Sequence, residues 1–188
     1  MKKTLLILMF LSFLSNSCKE KNNSEINEKE KIETIELNTK SSENKVLIDS
    51  FRVLKDSVII PEFAIKINLS EKAKAKLKKD NESTIVQAYF TGIPKDTLDS
   101  DYQKWGEKNI GQHRIELWDS KIAHFKNVKI SKKALEDLSD TNFEVLINVF
   151  SGRHSTDSNI LDCGVLQASI DKVKGKTHLI NGKLLFGE

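Results

Sequence analysis

Residues 151–159 read Ser-Gly-Arg-His-Ser-Thr-Asp-Ser-Asn. They place a guanidinium, an imidazole, hydroxyls and a carboxylate in one short stretch. Three chemistries follow from these types. In a recognition loop, Arg153 pairs bidentately with a carboxylate or phosphate, and His154, Ser155, Asp157 and Asn159 assist beside it. In a hydrolase, His154 serves Ser155 or Ser158 with Asp157 behind it. Working triads converge from separated segments, so closeness in sequence is poor support for that chemistry. In a solvated hairpin, Asp157 and Asn159 simply cap a turn. The preceding run Val145-Leu146-Ile147-Asn148-Val149-Phe150 reads as a strand buried on both faces, a rigid base for such a loop.

A second segment, from Gly92 to Gln112, reads as a loop of about twenty residues, a length usually found in functional or disordered loops. Tyr102 and Trp105 lie within it, either folded back as a lid or presented to a partner as interface anchors. Asp96, Asp99 and Asp101 match the opening of a calcium loop, but the glycine and distal glutamate that complete one are missing.

No phosphate-binding glycine loop, paired-cysteine motif or His-Glu-x-x-His occurs. His113, His124, His154 and His178 never stand four residues from one another, so no metal or cofactor is called for. Cys163, in Ile160-Leu161-Asp162-Cys163-Gly164, reads as a buried small hydrophobe, with a reactive thiol or an intermolecular disulfide as the alternatives. Lysine and glutamate are interspersed along the chain, and the net charge is only +3. That pattern lacks the basic stripe of a nucleic-acid binder, and no nucleic-acid partner is expected.

The elements that must position these residues read as mainly β. Phe63, Ile65, Ile67 and Leu69 alternate with Ala64, Lys66 and Asn68, which predicts a strand after Pro61. Ser70 predicts an N-cap for a short helix over 71–79 whose narrow apolar stripe is Ala73 and Leu77. Residues 84–91 form the next strand. A similar unit follows: Val128-Lys129-Ile130, Ser131 as cap, Ala134 and Leu138, then the strand from Glu144 to Ser151. Weaker strands are read at 113–118, 121–130, 165–173 and 178–186. About seven strands and two short helices imply a two-layer β-sandwich over residues 46–188, with a pseudo-repeat of strand–short helix–strand.

The chain opens Met-Lys-Lys, continues with the apolar run from Leu5 to Leu11, and reaches Cys18 through Ser15-Asn16-Ser17. The apolar core is about ten residues, half of what a membrane-spanning helix needs. The segment resembles a bacterial lipoprotein signal with a loose lipobox. The resemblance implies cleavage after residue 17, acylation of Cys18, and an outer-membrane lipoprotein facing the periplasm or the cell surface. Loss of Lys2 and Lys3 with the signal lowers the side-chain charge by two, to +1. Residues 18–45 are mostly Lys, Glu, Asn, Ser and Thr and read as a disordered tether. The function expected from these readings is a non-catalytic binding domain for a protein or envelope component. The alternatives are an inhibitor or immunity lipoprotein against an envelope-targeting enzyme, and a hydrolase using His154.

Cys18→Ala should abolish acylation and leave the protein uncleaved or soluble. Incorporation of labelled palmitate into that variant would overturn the assignment of the anchor.

Overall fold

The computed structural model describes residues 51–187, all of which belong to the unit that begins at Asn38. Cys18, the tether and the start of the domain at Val46 lie outside the described residues. The described chain is mainly β, with three open sheets packed on a shared core as a β-sandwich.

The strands are β1 (Arg52–Val53), β2 (Ser57–Ile59), β3 (Phe63–Leu69), β4 (Thr84–Gly92), β5 (Lys108–Leu117), β6 (Ile122–Phe125), β7 (Lys129–Ser131), β8 (Glu144–Ser151), β9 (Leu161–Cys163), β10 (Leu166–Ser169) and β11 (Thr177–Leu184). The helices are α1 (Glu71–Lys79), α2 (Ser100–Trp105), α3 (Lys132–Glu136) and α4 (Ile170–Val173). One four-stranded sheet runs β10-β8-β4-β5 and is antiparallel throughout. A second runs β6-β3-β11-β9, with β3 and β11 parallel. A three-stranded sheet, β1-β2-β7, adds Val58 and Ile130 to the core.

Facing residues explain why the layers close. Val86, Ala88 and Phe90 of β4 and Val145, Ile147 and Val149 of β8 meet Phe63, Ile65 and Ile67 of β3. Alternation along each strand delivers these side chains to one face. The aromatic rings interlock: Phe63 stacks on Phe125 at 4.6 Å, and Phe143 meets Phe90 edge-on at 5.9 Å.

Several sequence expectations change in detail. The doubly buried strand is β4, and β8 alternates between buried and half-buried positions. β4 is central, with β5 on one edge and β8 on the other. The segment from Gly92 to Gln112 is no long loop, since α2 and the first half of β5 occupy it. Asp99 starts α2 by accepting from Asp101 N and Tyr102 N. The 121–130 stretch is two strands in different sheets, parted at Asn127, whose φ is +54°. Residues 165–173 divide into β10 and α4.

The repeated unit is visible. Ser70 and Ser131 each cap a helix by accepting from the backbone three residues on, at Ala73 N and Ala134 N. The strands that follow, β4 and β8, lie side by side. The symmetry ends at the helices' footing: α1 sits on a small satellite cluster with Leu161, while Leu135 and Leu138 join the main core.

Phe143 is 1 % exposed and touches both Phe90 and Phe51. Phe143→Ala should lower the unfolding free energy by about 3–5 kcal/mol, read from urea denaturation.

Candidate functional site

The register of β4 assembles the site. Thr84 pairs with Leu117 on one side and with Ser151 on the other. The residues just before Thr84, at the end of β5 and just after β8 therefore share one corner. That corner holds Glu82, Ser83, Glu116, Trp118, His154 and Ser155, drawn from three separate stretches of chain.

Glu82 is the buried centre, at 4 % exposure. Its Oε2 accepts from His154 N, Ser155 N and Ser155 Oγ, each at 2.9 Å. Its Oε1 accepts from Ser83 N at 2.9 Å. Burial pushes this carboxyl upward, but the donors of Ser155, His154 and Ser83 outweigh burial and hold it below the usual carboxylate range. The carboxylate fixes the entrance of the 152–159 loop. Asn159 fixes the exit: its Oδ1 accepts from Ser151 N at 2.9 Å and Leu161 N at 3.0 Å, and its Nδ2 donates to Leu161 O. Gly152 is required by close approach, since a Cβ there would fall 1.9 Å from Ser83 Oγ.

Glu116 bridges the corner. Ser83 Oγ donates to its Oε1 at 2.5 Å, and His154 Nε2 donates to the same atom at 2.6 Å. These two donors hold the Glu116 carboxyl low, with the Ser83 hydroxyl the larger cause. The indole of Trp118 lies against the His154 ring, centroids 4.9 Å apart. Trp118 and Glu82 also line a cleft of about 420 Å³ between α1 and the turn after β5, whose floor includes Leu77 and Leu117 and whose rim carries Lys78 and Lys121.

The candidate residues named from sequence separate into groups. Arg153, His154, Ser155 and Asn159 are all placed by this corner. Asp157 is exposed and makes no hydrogen bond or ion pair among the described residues. The grouping of Ser155 with His154 and Asp157 does not form, because Ser155 Oγ donates to Glu82 and His154 to Glu116. Tyr102 and Trp105 belong elsewhere: they precede the start of β5, while Glu116 lies at its end, about 30 Å along the strand. Asp99 is spent on capping α2 and on Lys108 at 3.0 Å, which hold its carboxyl low, the Lys108 contact first. Asp96 accepts from Leu98 N. Among the described residues, no cluster of three or more His, Cys, Asp or Glu is placed to hold a metal.

Of the other histidines, His113 meets Phe125 edge-on, His124 is exposed, and His178 Nε2 donates to Val173 O at 3.2 Å. Cys163 packs against both hydrophobic clusters, over Gly182, where a Cβ would come within 2.4 Å of its Sγ. Burial first, and then the charge of Asp162, push its thiol up to about 11, so it stays protonated and unreactive.

Sequence reasoning did not single out Glu82, Ser83, Glu116 or Trp118. Glu82 and Glu116 lie 72 and 38 residues from His154, so no local spacing announces the cluster. Compared with known proteins, the chain matches no family model, no curated protein and no solved structure. The fold and the corner together define a β-sandwich that presents a loop held rigid at both ends.

Glu82→Gln should cost about 2–3 kcal/mol, because it weakens charge-assisted bonds to a buried acceptor. The folded carboxyl titrates below its ordinary value, so its contribution is complete above about pH 4.5 and is lost as pH falls through the lower folded value. Unfolding free energies measured from pH 6 downward should therefore fall less steeply in the variant than in the parent. Gly152→Ala should also destabilise, by displacing Ser83.

Proposed function

We propose that the protein is a lipid-anchored binding module of the bacterial cell envelope. Cys18 carries the anchor at the outer membrane, residues 18–45 give reach, and the sandwich presents the 152–159 loop to a protein or another envelope component. No nucleic acid, metal or cofactor enters this reading. One observation carries it: Glu82 and Asn159 lock the loop's backbone while Arg153, His154 and Asp157 remain exposed. A loop ordered before contact loses little freedom on binding. An envelope-targeting enzyme is one partner such a protruding loop suits, which is the inhibitor form of the same reading.

Hydrolysis through His154 is the second reading, favoured by the 2.6 Å pair with Glu116 beside a cleft. The order of contacts opposes it. Glu116 stands between Ser83 and His154, so the imidazole faces a carboxylate and activates no hydroxyl.

The full chain, immobilised, should capture a partner from envelope extract. Arg153→Ala should weaken that capture by about 2 kcal/mol or more while changing folding stability by less than about 0.5 kcal/mol. Lost thermal stability with unchanged capture would overturn the reading. Turnover of ester or amide substrates that disappears in His154→Ala would favour the hydrolase instead.

A further inference from the structure

The chain has three arginines, Arg52, Arg114 and Arg153, against many more lysines. Two of the three meet on one ring. The guanidinium carbon of Arg114 lies 6.0 Å from the centre of Phe150, and that of Arg153 lies 5.8 Å from it. Arg114 comes from β5, Phe150 from β8 and Arg153 from the loop beyond, so this convergence is made only by folding. Both arginines are exposed, and among the described residues neither is within ion-pairing distance of a carboxylate. Glu116 is the acid nearest in register to Arg114, two residues along the same strand, and the charge of Arg114 helps hold its carboxyl low. Its Oε1 is already engaged by Ser83 and His154.

Arg153 is also strained. Its φ is +64°, in the left-handed region that non-glycine residues seldom adopt. The Glu82 contacts to the two following N–H groups hold it there. An arginine lying on an aromatic ring keeps its plane oriented and its N–H edge free for a bidentate acceptor.

We propose that Arg114 and Arg153 form a clamp for an acidic peptide segment, with Phe150 holding both guanidiniums. The proposal rests on the reading of the loop as a binding surface and names what that surface takes. Carboxylates pair with the two forks, so adjacent acidic side chains of one segment engage both. On this face of the sheet the buried Gln87 of β4 lies between the half-buried Asn148 of β8 and the exposed Arg114 of β5. The two guanidiniums stand exposed on an open surface, which suits an extended peptide better than a small enclosed ligand.

The test is fluorescence anisotropy of the full chain with a labelled Glu-Gly repeat peptide, with its Gln-Gly counterpart as control. The Glu peptide should bind, and the Gln peptide should be at least about tenfold weaker. Arg114→Gln and Arg153→Gln should each weaken the Glu peptide by about tenfold or more with melting temperature unchanged. Lys72→Gln with Lys79→Gln on α1 should change it less than about twofold. Arg114→Lys keeps the charge but not the fork and should not restore affinity. Equal loss from the α1 lysines, full rescue by Arg114→Lys, equal binding of the Gln peptide or no binding of the Glu peptide would each overturn the clamp. If envelope capture still depends on the loop when the Glu peptide fails, the binding-module reading survives and the clamp alone falls.

Discussion

The structure depends on the two-sided pairing of β4. Every residue from Thr84 to Thr91 is matched on both sides, to β5 and to β8. A central strand bonded on both edges and buried along nearly its whole length has a strongly specified register, because a one-residue slip would move every side chain to the other face. It also sets which loops become neighbours. One end of β4 brings the 152–159 loop to Glu116 and Trp118, and the other end carries α2 with Tyr102 and Trp105. The two candidate surfaces are thereby kept apart by the length of the sheet.

Two carboxylates at the first end do different work because their surroundings differ. Glu82 is enclosed, and four donors consume it, three of them backbone N–H groups. A buried charge is tolerable only when it is satisfied in this way, and the same bonds turn a polar nine-residue segment into a fixed shape. Glu116 is accessible, and side chains alone serve it. It ties the loop's imidazole to β5 and places His154 against Trp118. The hydroxyl, carboxylate and imidazole are the ingredients of a catalytic triad, but the carboxylate lies in the middle, where it orients both neighbours and relays no proton from serine to histidine.

Much of the fold is legible in local pattern. The strand at 63–69, the helix capped by Ser70 and the helix capped by Ser131 rest on contacts within a few residues, and those are written in the chain as spacing. The β-sandwich class follows from many short alternating runs with short helices. The segment after Gly92 was not legible as helix and strand, because α2 has no buried residue and so no apolar stripe. The break at Asn127 was hidden for a related reason: it rests on a left-handed residue that alternation alone does not mark.

The loop from Gly152 to Asn159 divides the two kinds of information most clearly. Its residue types, by themselves, determined that a cation, an imidazole and hydroxyls would stand together after an apolar strand, because those groups are neighbours along the chain. Only the tertiary structure decided that Glu82 holds the backbone, that Glu116 takes the imidazole and that Arg114 joins Arg153 on Phe150. The contacts of Glu116 and Glu82 with the loop span 38 to 73 residues. Their partners are chosen by strand register, a property of how β4, β5 and β8 align and of no local segment.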